Sequence, residues 1–267
     1  MEMRNVIRNG LLTLAVVATI TSAALAQRPY GQNRGSADGR NVAGQFDYYA
    51  LVLSWSPSYC AGTQREGYDP QCDRTDGKRY SFVLHGLWPQ YSPKGWPQDC
   101  PVSGRAFVPR PLINSMLDIM PSDKLVIHEY RKHGTCSGLE PAQYFGLARK
   151  LFSSVNIPDE FRNPFETKFV SPADLVAEFE KVNPWLRPNM IGVDCGGSGN
   201  RLTEIRICFG KEGHPIACSR NEDQRRLCTA EKMYLPPVRA TKTDEKPGKD
   251  QQTPLPRPRL IPNARNI

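Results

Sequence analysis

Two runs near the start of the folded region are apolar enough and short enough to be strands. Residues 48–55 read YYALVLSW and residues 80–87 read YSFVLHGL, both rich in aromatic and branched side chains. In the second run, alternation places Phe82 and Leu84 on one face, with Ser81, Val83 and His85 on the other. Residues 112–120 predict a helix stopped by Pro121, and Ser122 is placed to cap the next one. A further helix is expected over 141–153, ahead of Pro158. Another opens with Ser171 at the N-cap and Pro172 at the first position, running to about residue 182. Residues 202–209 and 215–218 predict a β-hairpin around Gly210-Lys211-Glu212-Gly213. The stretch 60–79 is rich in turns, and 95–111 is a proline-rich loop carrying Cys100. Together these elements predict one compact α+β domain over residues 46–235.

Its flanks read differently. Residues 1–26 have a short basic start, an apolar core from Leu11 to Ile20 and a small-residue site at Ala24-Leu25-Ala26. That is the pattern of a secretory signal peptide cleaved near Ala26, and the apolar run is too short for a membrane span. Residues 27–45 are polar and glycine-rich and predict a flexible leader. Residues 236–267, rich in Pro, Lys, Arg and Gln, predict a disordered tail. Eight cysteines, at 60, 72, 100, 136, 195, 208, 218 and 228, all follow the signal. An even number in that context predicts disulfides made in an oxidising compartment, hence a secreted or periplasmic protein. Spacing alone leaves the pairing open. The net charge of +8 suggests a polyanionic partner, but residues 46–235 carry only +1 of it. The basic excess lies mainly in the flanks and does not define a basic binding face.

The chemistry concentrates in His128-Glu129-Tyr130-Arg131-Lys132-His133-Gly134-Thr135-Cys136. Of the chain's four histidines, at 85, 128, 133 and 214, two stand here. On an α-helix, His128 and Lys132 share a face one turn apart, and Glu129 and His133 form the adjacent pair. The start His128-Glu129 resembles a zinc protease motif. That motif needs its second histidine four residues on, where this chain has Lys132. His133 is one residue later, turned roughly 140° from His128 on an α-helix. A metal site is therefore not expected, and no other cofactor motif is present. The nearest approach to a serine-hydrolase elbow, Gly196-Gly197-Ser198-Gly199, lacks the spacing and reads as a loop. His85 alone would be an ordinary structural histidine. Facing His133 across a groove, it would complete an acid–base pair of imidazoles. His214 falls in the predicted hairpin turn and carries no expected role.

Two segments carry a resemblance. Phe82-Val83-Leu84-His85-Gly86-Leu87-Trp88-Pro89 resembles the first active-site segment of the ribonuclease T2 family, and residues 128–136 resemble the second. The resemblance extends from Tyr48 to Cys228. It implies a ribonuclease T2-like fold, with an antiparallel β-sheet core, packed helices and disulfide staples. It also implies a metal-independent, cofactor-free endoribonuclease that cleaves single-stranded RNA through a 2′,3′-cyclic phosphate with low base specificity. His133 would be the base and His85 the acid in the first step, and His128 would bind phosphate. Lys132 and Glu129 would stabilise the transition state. Base-binding residues implied are Trp88, Gln90, Tyr91 and Leu125. The disulfides implied are Cys60–Cys72, Cys100–Cys136, Cys195–Cys228 and Cys208–Cys218. A monomer acting on RNA is expected. The competing reading is a binding or inhibitory protein on the same fold, and the presence of both His85 and His133 argues against it.

Overall fold

A computed structural model describes residues 41–62, 68–75 and 79–238. The predicted signal peptide, most of the leader and the tail from residue 239 lie outside the described residues. In chain order the elements are β1 Tyr48–Trp55, α1 Ser56–Gly62, β2 Phe82–Gln90, α2 Arg110–Met116 and α3 Asp123–Glu129. A π-helical segment, Tyr130–Gly134, and the short α4, Thr135–Ser137, continue α3. Then follow α5 Pro141–Ser154, α6 Asp159–Arg162, β3 Lys168–Val170, α7 Pro172–Val182, β4 Ile191–Gly196, β5 Arg201–Gly210, α8 Gln224–Leu227 and β6 Met233–Leu235.

The strands form one sheet in the order β2-β1-β5-β6-β3, with β4 also paired to β5. The pairings of β1 with β2, β1 with β5, β4 with β5 and β3 with β6 are antiparallel, and the single β5–β6 contact is parallel. The sheet is thus mixed rather than purely antiparallel. β1 lies between β2 and β5, which explains why its sequence is apolar on both faces; seven of its eight residues are buried. α5 packs on β1 and β2, turning Tyr144, Phe145, Ala148 and Leu151 inward at one-turn intervals. The Tyr144 hydroxyl donates to the Leu87 carbonyl at 2.9 Å and accepts from its amide at 3.4 Å, pinning β2 where the site begins.

The helix caps follow the sequence. Ser122 Oγ accepts the Leu125 amide at the start of α3, and Ser171 Oγ accepts the Asp174 amide at the start of α7. The hairpin differs from expectation. The long one joins β4 and β5 through 197–200, where Gly197, Gly199 and Asn200 take positive φ. Residues 215–218 instead make an isolated bridge from Pro215 to Phe209 and backbone bonds from Ile216 N–H to Cys208 O and from Cys218 N–H to Asn189 O. β4 escapes a sequence reading because two glycines weaken its strand signature. Gly192 is required there, since a Cβ would lie 2.8 Å from the Glu222 carbonyl and 2.7 Å from Leu227.

The disulfides are Cys60–Cys72, Cys100–Cys136, Cys195–Cys228 and Cys208–Cys218. Cys100–Cys136 fastens the loop after β2 to α4, and the Asp99 amide adds a 2.8 Å bond to the Lys132 carbonyl. Among the described residues no helix is long and apolar enough to cross a membrane.

Candidate active site

β2 and the α3–π segment form two walls around the indole of Trp88. On β2 the register slips: Val52 opposes Gly86 and Leu53 opposes Leu84, so His85 has no partner across the ladder. That is a β-bulge, and it breaks the alternation after His85, bringing Gly86 onto the face of Val83. On the helical wall, the π turn takes one residue more per turn than an α-helix. The angles of a plain α-helical wheel therefore stop applying after Glu129. Both departures from ideal geometry sit at the two histidines.

The walls touch. The His85 and Trp88 rings meet edge-on at 5.0 Å, and His133 stacks on Trp88 at 4.9 Å with only 23° between the planes. The Trp88 indole N–H donates to Glu129 Oε2 at 2.7 Å, and Glu129 Oε1 lies 3.6 Å from His85 Nε2. Gly86 makes this approach possible, because a Cβ there would sit 2.1 Å from Glu129 Oε2. Gly134 serves the helical wall in the same way, since a Cβ would meet the Tyr130 ring at 2.4 Å. Trp88 is thus engaged by His133 and Glu129, and the Arg206 guanidinium lies 5.4 Å from its ring centre. The indole holds the two walls together rather than standing free as a platform for a base.

The electrostatics of the two imidazoles diverge. For His85, burial favours the neutral ring, but the hydrogen bond to Glu204 and the charges of Glu129 and Glu204 outweigh it and raise its pKa. His133 is 4% exposed, and its buried Nδ1 has no partner. Burial, with the positive charge of Lys132 and the neighbouring His85 and His128, drives its pKa well below the ordinary histidine value. His128 is exposed and its pKa is lowered by partial burial and by Lys132. Glu129 is 1% exposed, and burial raises its pKa against the pull of His85, Trp88 and Lys132.

The remaining expected residues lie differently. Gln90 is buried, its carbonyl oxygen accepting from Asn221 Nδ2 at 3.0 Å and its Nε2 donating weakly to the Trp88 carbonyl at 3.4 Å. Its amide is committed to the scaffold and does not face the cleft as a free reader of bases. Tyr91 and Leu125 are half-buried and pack against the core.

Three residues escaped the sequence reading. Glu204 Oε2 lies 3.2 Å from His85 Nδ1, Arg206 Nε donates to Glu204 Oε1 at 2.9 Å, and an Arg206 terminal nitrogen reaches Asp194 Oδ2 at 3.1 Å. The signal was available: a buried strand, LTEIRICF, bearing a carboxylate and a guanidinium two residues apart on one face.

Comparison with known proteins places this geometry. The model of the ribonuclease T2 family matches residues 46–218, and the chain belongs to that family. A ribonuclease of Aeromonas hydrophila is 34% identical over 196 residues, covering 72% of this chain and 85% of its own. A probable ribonuclease of Haemophilus influenzae is 28% identical over 194 residues, covering 67% and 64%. Among solved structures, a variant of RNase MC1 in complex with 5′-UMP superposes with a TM-score of 0.53 at 23% identity, over 70% of this chain and 97% of its own. An RNase-related protein from Calystegia sepium gives 0.54 at 20% identity, over 72% and 98%. These two likenesses define the fold, and the site must supply the argument for chemistry.

Proposed function

We propose that the protein is a metal-independent endoribonuclease acting on single-stranded RNA by transphosphorylation. The observation that carries this reading is two imidazoles, His85 and His133, brought to one indole with Glu129 between the walls. Their surroundings displace His133 toward the neutral ring and His85 toward the protonated one, the directions a base and an acid require.

The first step follows from that assignment. His133 takes the proton of a ribose 2′-hydroxyl, and the 2′-oxygen attacks the adjacent phosphorus. The bond from phosphorus to the 5′-oxygen breaks, and His85 Nε2 gives that oxygen its proton. The products are a 2′,3′-cyclic phosphate and a free 5′-hydroxyl. In the second step the roles reverse: His85 takes a proton from water, the water oxygen opens the cycle, and His133 returns its proton to the 2′-oxygen. Lys132 and Glu129 stabilise the crowded phosphorane, and the exposed His128 contacts a phosphate oxygen. A 2′-hydroxyl nucleophile excludes DNA as substrate. With Gln90 tied to Asn221, discrimination between bases is weak.

The same reading includes export. Residues 1–26 act as a signal peptide removed near Ala26, the mature chain is secreted or periplasmic, and it works as a monomer. The four disulfides support an oxidising destination. N-terminal sequencing of exported protein should begin at Gln27, and its mass in solution should be that of one chain.

The test of activity is direct. Purified mature protein is incubated with RNA and with DNA in excess chelator, and product ends are identified. Cyclic phosphate and 5′-hydroxyl ends from RNA, with DNA intact, are expected. Intact RNA, or cleavage lost on chelation, would overturn the proposal.

A further inference from the structure

We infer that Glu204 is the positioning residue of His85, fixing its ring and tautomer from two strands away and held in place by Arg206 and Asp194. The inference rests on the ribonuclease reading for its consequence, but its geometry stands apart from it.

The sheet builds the arrangement from small residues. Glu204 pairs across Ser54 to Val83, and Arg206 pairs across Val52 to Gly86. On the other side Asp194 opposes Glu204 and Gly192 opposes Arg206. Residues opposite one another share a face, so Glu204, Arg206 and Asp194 share theirs with Ser54, Val52 and the two glycines. The small side chains of β1 leave room above it for Glu204 to reach across to β2. His85 shares that face with Val83 by alternation, and the bulge beside it brings Gly86, which has no side chain, onto the same face.

The hydrogen bonds then assign atoms. Glu204 Oε2 is an acceptor 3.2 Å from His85 Nδ1, so that nitrogen carries a proton and Nε2 is the one that delivers its proton to the leaving oxygen. Glu204 Oε1 is occupied by Arg206, which also binds Asp194, so the carboxylate is held at both oxygens. Glu204 does not touch the cleft on the Nε2 side, where Glu129 lies. Glu204 therefore acts through His85 and not on RNA. The charged groups that bear on His85 are Glu204 and Arg206 from β5, Glu129 and His128 from α3, and His133 from the π segment. The two glutamates favour the protonated ring, and Arg206 opposes them.

Loss of the Glu204 charge should therefore lower the His85 midpoint. In Glu204→Gln the amide keeps an acceptor for Nδ1 but loses the charge. In Glu204→Asp the charge stays but the shorter side chain draws it back from Nδ1. The experiment is NMR titration of the His85 ring in the folded wild type and both variants, alongside pH profiles of kcat/KM on RNA. The expected result is a lower His85 midpoint in Glu204→Gln and a smaller fall in Glu204→Asp. The alkaline limb of the profile should move the same way, kcat should fall in Glu204→Gln, and KM should hold. An unmoved midpoint in Glu204→Gln, or a larger fall in Glu204→Asp than in Glu204→Gln, would overturn the inference. If Glu204→Gln fails to fold, Glu204→Asp decides alone, since a midpoint that rises or stays is contrary. Should the wild type leave RNA intact, the titrations still read the coupling, so failure of the ribonuclease proposal is distinguishable from failure of this one.

Discussion

His85 and His133 touch the same indole, one edge-on and one face-on, yet they occupy opposite electrostatic surroundings. His85, on β2, lies between two carboxylates, Glu129 at the end of α3 and Glu204 on β5, and its side chain is 33% exposed. The helical wall buries His133, leaves its Nδ1 without a partner and sets Lys132 beside it in sequence. Neither histidine differs intrinsically from the other. What separates them is which ring the buried carboxylates reach. The ring beside two carboxylates is displaced toward its charged form, and the ring surrounded by burial and positive charge toward its neutral form.

Four measurements bear on this contrast, and the largest effect comes first. Removing either imidazole removes half the proton transfer. His85→Ala and His133→Ala should each lower kcat on RNA by about 10²- to 10⁴-fold. Near-wild-type turnover in either variant would dissolve the contrast. Next, Gly86→Ala puts a methyl group where Glu129 Oε2 now sits, 2.1 Å from the built Cβ, and forces the walls apart. The expected cost is about 1–3 kcal/mol in urea unfolding, with a matching loss of kcat. Wild-type stability would show that the walls yield freely. Trp88→Phe keeps a ring between the histidines but deletes the donor to Glu129. A roughly tenfold fall in kcat is expected, the equivalent of losing one hydrogen bond to a charged group. An unchanged kcat would leave the indole a packing role only.

The smallest effect is on stability against pH, and it has opposite signs at the two sites. His133 has a folded pKa below its ordinary 6.5, so the unfolded chain binds more protons and stability is lost as pH falls from 6.5 through the folded value. His85 has a folded pKa above 6.5, so its contribution is complete below 6.5 and is lost as pH rises through the folded value. Urea midpoints across a pH series should therefore show a shallower acid-side loss in His133→Gln and a shallower alkaline-side loss in His85→Gln. Parallel curves for the two variants would mean that the surroundings do not distinguish them.

Much of this was legible in the linear chain. His128, Glu129, Lys132 and His133 stand out because ionisable groups rarely crowd an apolar segment, His85 stands out only through the resemblance its segment carries, and the caps at Ser122 and Ser171 follow from local rules. What the chain concealed is long-range. Glu204 matters only because β5 pairs with β1 and β1 with β2, so no local pattern ties it to His85, 119 residues away. The bulge at His85 depends on the register of β2 against β1, which no local pattern in β2 fixes. Gln90 shows the reverse error: the family resemblance implied a base contact, and its amide is instead bonded to Asn221, remote in sequence.

The π turn at Tyr130–Gly134 has a consequence for how the chain tolerates length changes. A π turn holds one residue more than the α-helical turn it replaces. Deleting a single residue there would let the backbone relax into a regular helix with little local cost. Everything downstream would keep its angular place, because the wide turn and the regular turn each close one revolution. Cys136 would still meet Cys100, while the side chains within the turn, His133 among them, would be re-aimed. A shortening by one residue, harmless to the helix as such, would spare the fold and fall on the site.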